Sequence, residues 1–307
     1  MHQLAGIIEL ENWLQDLLQQ GLATALTRPP AFWEEFAARM VNAKLSGIAR
    51  RIRSFQNWLQ SDNAHERLLS EIGELYLFAK AFQKLETLPA DLQQEMLTTA
   101  GATIKKEIVF KQESIPGKWL VIGQSEGKEE DIRYRRTWLQ GITTHKTALL
   151  LDFAWRFSPF EFNWKVGSLL QAEVAYYPAA YPQRALVKDF VIIYEPIDLA
   201  GYADWEVFFR QYADALAQNP WLLTFPGLLD GLTPVLPNEQ LSLIDTNLAQ
   251  LPIQTAEEIK WKILAIGGGH PMQIFGEWNG KSFTPLTVFT QSRIIPLLVP
   301  FSNGQNA

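Results

Sequence analysis

The apolar residues of this chain follow two different periods, and the change between them falls near residue 115. Up to about residue 112 they recur at three- and four-residue steps, which is the spacing of one face of an α-helix. Beyond that point they alternate or cluster in short runs rich in β-branched and aromatic side chains, as strands do. Helices followed by strands are typical of an α+β fold, because a parallel sheet would require the two to interleave.

The first part predicts a helical bundle of four amphipathic helices and a short fifth that begins at Pro89. Pro29 and Pro30 mark the start of the second helix, since the first helical turn tolerates the missing N–H of proline. The residues expected to form the inner faces are Ile7, Leu10, Trp13, Leu14, Leu17, Leu18, Phe32, Trp33, Phe36, Met40, Ile48, Ile52, Phe55, Leu59, Leu68, Leu69, Ile72, Leu75, Tyr76, Ala79 and Phe82.

The second part begins with three predicted strands of an antiparallel meander, KWLVIGQ, IRYRRTWLQ and TALLLDFAW, and continues with LLQAEVAYY and ALVKDFVIIYE. A helix at about 203–217 follows, and then WKILAIG, MQIFGEW and TPLTVFT predict a second, smaller β unit. We therefore expect three domains: a helical bundle (1–112), a β-meander (117–200), and a helix with a small β unit (201–307).

Composition restricts the class of function. The 307 residues are 47% hydrophobic, which is ample for a packed core. A net charge of −6 disfavours binding to nucleic acid or anionic lipid over a broad surface, although a local basic patch stays open. The chain has no Cys, which excludes disulfides and the Cys-rich zinc sites. With no apolar run of membrane-spanning length and no signal-peptide pattern at its start, we expect a cytoplasmic protein without a cofactor.

A glycine-rich stretch near the end of the chain, Gly267, Gly268, Gly269 and His270, is a candidate loop site. A phosphate cradle would lead from a strand into a helix, whereas a strand pattern ending in Asn279–Gly280 follows here. We therefore favour a connection between two strands in which glycine supplies backbone freedom. An active site near His270 remains the alternative, although the other histidines lie on different predicted elements and no metal-binding spacing is present.

The strand IRYRRTWL carries the candidate partner-binding residues Arg133, Arg135, Arg136 and Trp138. Alternation puts Arg133 and Arg135 on one face and Arg136 and Trp138 on the other. In the plainer interpretation these arginines pair with Glu129, Glu130 and Asp131 or cover the solvent face of a sheet. In the functional one they dock a carboxylate-rich or phosphorylated partner. A second basic cluster, Lys44 with Arg50, Arg51 and Arg53, is expected on the solvated side of the third helix.

Several phrases together resemble one family. They are GLATALTRPPAFWEEFAARMVNAKLSGIARRIR, KWLVIGQ, RRTWLQG, ALLLDFAW and GGHPMQIFGEWNG, and in this order they resemble the region that follows the zinc finger in bacterial SWIM zinc-finger family proteins. The finger's zinc ligands have no counterpart in a chain without Cys, and no catalytic residue carries over. The resemblance implies partners, since such proteins are often encoded beside MoxR-type AAA+ ATPases and von Willebrand factor A domain proteins.

We therefore expect a non-enzymatic interaction module or adaptor that works with such an ATPase and a von Willebrand factor A domain protein. Two alternatives stay open: an enzyme with an unrecognised site near His270, and a nucleic-acid-binding adaptor that uses the arginine clusters. Nucleic-acid binding would require the arginines to gather on one face, so the distribution of charge in the structure separates it from the first expectation.

Overall fold

The computed structural model describes residues 2–129, 131–253, 255–290 and 293–297. It divides the chain into two compact units. The first comprises the residues up to 105 together with residues 178–180, and the second comprises nearly all the others.

The first unit is the predicted helical bundle. Its helices are α1 (His2–Gln20), α2 (Leu22–Leu26), α3 (Pro30–Asn42), α4 (Ser46–Ser54), α5 (Ala64–Phe82) and α6 (Ala90–Ala100). Pro30 occupies the first turn of α3, as the sequence predicts. Most of the predicted inner faces are buried, but Leu18 and Leu69 are half exposed. Each follows a buried leucine directly, and adjacent helical residues point about 100° apart, so only one of the two reaches the core.

Aromatic stacking and ion pairs join the helices of the bundle. The ring of Trp13 on α1 stacks on Phe36 of α3 with centroids 4.0 Å apart. Arg51 of α4 forms ion pairs with Glu71 and Glu74 of α5, and Arg53 pairs with Glu34 of α3. The expectation of a solvated side is therefore wrong for Arg51, which is largely buried against α5, whereas Arg53 and Glu34 pair at the surface.

In the second unit, α7 (Lys106–Phe110) precedes a five-stranded antiparallel sheet. The strands are β1 (Ser114–Glu129), β2 (Ile132–Gly141), β3 (Thr147–Trp155), β4 (Leu169–Tyr176) and β5 (Ala185–Ile193). Their order is β3-β2-β1-β4-β5. The predicted meander is confirmed for β1 to β3, and the two further predicted strands extend the sheet beside β1.

A second antiparallel sheet follows the helix α8 (Trp205–Gln218). Its order is β11-β10-β9-β6-β7-β8, and the strands are β6 (Phe225–Val235), β7 (Ser242–Ile244), β8 (Gln250–Pro252), β9 (Met272–Trp278), β10 (Phe283–Phe289) and β11 (Ile294–Pro296). The prediction of a strand over WKILAIG is wrong, because these residues lie in the helix α9 (Glu257–Gly267). Ile259, Ile263 and Gly267 are buried at four-residue steps, which is the helical period.

The two sheets pack face to face. Leu120, Ile122 and Trp138 of the first sheet form one apolar cluster with Phe275 and Leu286 of the second. The Phe275 ring lies where a side chain at position 123 would project: a Cβ built on Gly123 would come within 2.5 Å of it. Glycine at this position of β1 therefore permits the close approach of the sheets.

Candidate interaction surface

Strand β2 displays its side chains on two faces, in the alternation that the sequence predicts. The guanidinium groups of Arg133 and Arg135 both lie over the ring of Phe160. Arg136 and Trp138 instead both contact Glu277, which belongs to β9 in the other sheet. The four predicted partner-binding residues thus form two separate groups with different surroundings.

The group formed by Arg136 and Trp138 lies between the two sheets. Trp138 is fully buried, and its indole N–H donates to the Glu277 carboxylate. Arg136 donates to the same carboxylate at 3.0 Å and to the Thr224 hydroxyl at 2.8 Å. Because these polar groups satisfy one another away from water, they fix how the two sheets pack. A partner that binds the folded chain does not reach Trp138.

Arg133 and Arg135 hold a loop against the outer face of the first sheet. Arg133 donates to the Ser158 carbonyl at 2.7 Å, and Arg135 donates to the Phe162 carbonyl at 3.5 Å. Phe160, between these two carbonyls, has the Arg135 guanidinium 4.1 Å from its ring centroid. Two cation–π contacts and two hydrogen bonds therefore fix residues 158–162 on the sheet.

Arg135 has an acidic partner that the plainer interpretation does not name. Arg135 pairs with Glu126 across the β1–β2 ladder, with its Nη2 atom 2.6 Å from the Glu126 carboxylate. Asp131 pairs with Arg156 of the loop instead. Glu130 lies outside the described residues.

Asp152 of β3 lies beneath the same loop. Burial raises the pKa of its carboxyl above the ordinary value of 3.8, and the nearby positive charge of Arg135 acts in the opposite direction. Arg135 itself makes three kinds of contact: with the Glu126 carboxylate, with the Phe160 ring and with the Phe162 carbonyl.

The arginine-held residues are part of a longer segment, residues 155–163, which we call the aromatic loop and which carries exposed aromatic side chains. Phe157 is 98% exposed, and Trp155 is 55% exposed. Phe153 on β3 is also more than half exposed, but it pairs with Tyr134 and therefore lies on the other face of the sheet from Arg133 and Arg135. Large apolar side chains grouped on a surface in this way mark sites of interaction more often than single ones do.

The glycine stretch is a helix terminus. Gly268 adopts the left-handed conformation at φ 53° and caps α9, with its N–H donating to the Leu264 carbonyl at 2.9 Å. Gly269 also has a positive φ, and the exposed His270 leads into β9. The predicted strand-to-strand connection is therefore a helix-to-strand connection. A phosphate would meet here the negative end of a helix dipole, so the stretch is not a phosphate cradle.

The described part of the chain lacks both a metal-binding cluster and a membrane-spanning helix. It contains no group of three or more His, Cys, Asp and Glu side chains placed to hold a metal ion. None of its helices combines the length and the apolar character that a membrane crossing requires.

Several residues of this surface escape sequence reasoning. Glu277 is the one charged residue of β9. Nothing in the neighbouring sequence indicates that it contacts an arginine 141 positions away. The segment FSPFEFNW follows neither a helical nor a strand period. Its density of aromatic residues is the one available signal, and it does not show which ring is covered by arginine and which is exposed.

Comparison with known proteins shows a similarity for the N-terminal part of the chain. Residues 3–100 match the family model of the SWIM-associated four-helix bundle domain. No curated protein and no solved structure gives a match. The match covers the helices α1 to α6 and agrees with the resemblance to the region C-terminal to the finger of SWIM family proteins. Residues 3–100 are therefore similar to the SWIM-associated four-helix bundle domain.

Proposed function

We propose that this chain is a non-enzymatic interaction module, an adaptor that binds a MoxR-type AAA+ ATPase and a von Willebrand factor A domain protein. The similarity of residues 3–100 to the SWIM-associated four-helix bundle domain supports this proposal. The identity of the two partners rests on the resemblance of the sequence to SWIM zinc-finger family proteins.

One observation carries the proposed docking site: the aromatic loop presents a fully exposed ring on a braced backbone. Phe157 is 98% exposed, while Arg133 fixes the carbonyl of the next residue, Ser158. A braced aromatic side chain loses little conformational entropy on binding, which is why such residues dominate binding energy at protein interfaces.

In this proposal Arg133 and Arg135 act by positioning. Their guanidinium groups are engaged by Phe160 and by backbone carbonyls of the loop, and they are partly buried. Reversing their charge would bring carboxylates against those carbonyls and release the loop, so partner binding would fall even where neither arginine contacts the partner.

Phe157→Ala tests the docking site. The chain is used as bait in an extract of its native host, and the captured ATPase and von Willebrand factor A domain protein are quantified by mass spectrometry. We expect capture of at least one of them to fall by roughly tenfold or more, the range for removal of a buried aromatic anchor. The thermal midpoint should not change, because an exposed side chain contributes little to stability.

The matched control is Tyr194→Ala, since Tyr194 is also aromatic and is 93% exposed. This variant should capture the two partners to the same extent as the unmodified chain does. Equal capture by all three proteins would reject the aromatic loop as the docking site. Absence of both partners from every capture would reject the proposed partners.

A further inference from the structure

Strand β3 forms one edge of the first sheet, and its outer backbone groups can be identified from the register. The Arg156 N–H donates to Asp131 on the β2 side, whereas the Leu149 N–H donates outward to Gln183. Because backbone groups alternate in direction along a strand, the odd-numbered residues point away from β2. Leu151, Phe153 and Trp155 therefore direct their N–H and C=O groups to the outer edge.

Only the first half of this edge is covered. At Leu149 the chain near Arg184 pairs with it as a short parallel bridge. Among the described residues, no β-bridge reaches the outer side of β3 over residues 151–155, and the Trp155 carbonyl accepts from the Ser158 N–H. This open edge of β3 is a row of backbone donors and acceptors beside two exposed aromatic rings.

The other outer strands of the two sheets carry the usual protection against edge pairing. β8 and β11 have three residues each and end in proline. β5 contains the charged residues Lys188 and Asp189, and α7 contacts it. Short strands and prolines discourage strand addition, as do lysines, and the open edge of β3 contains no proline or lysine; its one charged residue is Asp152.

We propose that residues 151–155 of β3 pair with the same residues of a second copy of this chain, antiparallel and about a two-fold axis at Phe153. In this register Phe153 faces Phe153 of the second copy, and Leu151 faces Trp155 of the second copy. All three outward-facing residues of each chain then take part, and about four backbone hydrogen bonds form without the Trp155 carbonyls, which already accept from the Ser158 N–H.

The neighbouring two-fold registers are less favourable. An axis at Asp152 would place two carboxylates directly opposite each other, which destabilises a strand pair. An axis at Ala154 would require pairing beyond Trp155, but Arg156 has φ 47° and turns the chain away from the strand direction. The axis at Phe153 avoids both problems and places two aromatic rings in a favourable cross-strand pair.

The two-fold arrangement also closes the assembly. An isologous pair covers the open edge of β3 on both copies, so growth stops at two chains. Pairing of β3 with a different edge of the next copy would instead produce chains of increasing length. The measured mass therefore distinguishes the two arrangements.

Sedimentation tests this proposal. At concentrations on the order of 100 µM we expect the unmodified protein to sediment at twice the 34.9 kDa of one chain. Phe153→Lys should raise the dissociation constant about tenfold or more, because two lysines would then face each other at the axis. Val191→Lys is the matched control, since Val191 is 60% exposed on the opposite edge strand, compared with 58% for Phe153. A monomer at every concentration, a polymer, or equal dissociation constants would overturn the proposal.

Cross-linking provides a second test that does not depend on a destabilising substitution. The chain has no Cys, so Phe153→Cys introduces a single thiol. Directly paired residues in antiparallel strands have Cα atoms about 5.5 Å apart, which a disulfide can span. Mild oxidation should therefore give a disulfide-linked dimer with Phe153→Cys and not with Val191→Cys. Equal yields from the two variants would reject the pairing at position 153.

This inference does not rest on the proposed function. Phe157 lies beyond the last residue of β3, and partner capture is measured with substitutions there. Loss of the dimer and loss of partner capture are therefore separate results.

Discussion

At the scale of single residues, Glu277 links the two sheets. It is 9% exposed, and its carboxylate accepts hydrogen bonds from Arg136 and Trp138 of the opposite sheet. A buried carboxylate is stable only while such donors offset the loss of its hydration. Two of the residues that the sequence suggests for partner binding are thus needed inside the molecule to satisfy one acid.

Replacing Glu277 tests this role. Glu277→Ala leaves the Arg136 guanidinium partly buried without its carboxylate, and we expect the free energy of unfolding to fall by about 3 kcal/mol. Chemical denaturation in urea measures it. The control is Glu126→Ala, which breaks the more exposed pair with Arg135 and should cost less than about 1 kcal/mol. Similar losses in the two variants would contradict a special role for Glu277.

At the scale of secondary-structure elements, the sequence predicts best where the period is long. The nineteen residues of α1 and of α5 each show several turns of an apolar face. WKILAIG contains seven residues, and a run of that length fits a buried strand as well as a helix. β6 was not predicted, because its two glycines and two prolines resemble a turn segment, although its pairing with β9 accommodates them.

Alternation predicted correctly which residues of β2 share a face. It did not predict which parts of the chain pack against each face. Arg133 and Arg135 meet a loop more than twenty residues away, and Arg136 meets a strand of the other sheet. Such contacts depend on the tertiary fold, which local periodicity does not encode. The sequence could therefore identify the residues of the candidate site without distinguishing buried from exposed ones.

The cap of α9 provides a test at this scale. At Gly268 a Cβ would meet nothing within 4 Å, so Gly268→Ala costs only the left-handed conformation, and we expect a loss of about 1 kcal/mol in the free energy of unfolding. Gly268→Asn should cost less, because asparagine tolerates that conformation better.

Gly73→Ala is the matched control for the α9 cap. Gly73 is exposed within α5 and also has open space around its Cβ position, but it has helical backbone geometry. Alanine there should raise the free energy of unfolding by up to about 1 kcal/mol. If alanine at position 268 were neutral or stabilising, the glycine stretch would require an explanation other than a helix cap.

At the scale of the whole molecule, two places compete as the boundary between the helical and the β-rich parts. The change of apolar period suggests residues 112–117, and α7 does end at Phe110 before β1 begins at Ser114. However, Ser114 to Gly117 already pair with β4 through Ala175 to Ala172. Residues 102–105 form no helix or strand, and the first compact unit ends at Lys105.

Limited proteolysis distinguishes these two places, because proteases cut backbone that opens locally at low cost. We expect trypsin to cleave first after Lys105, the last residue of that segment, or after Lys106, the first residue of α7; both are exposed. Mass spectrometry of the early fragments identifies the bond. The double substitution Lys105→Gln with Lys106→Gln should slow the first cut, whereas Lys111→Gln, which removes an exposed site between α7 and β1, should not. A first cut after Lys111 or Lys118 would instead place the boundary at residues 112–117 and would show that the start of β1 opens more readily than the segment before α7.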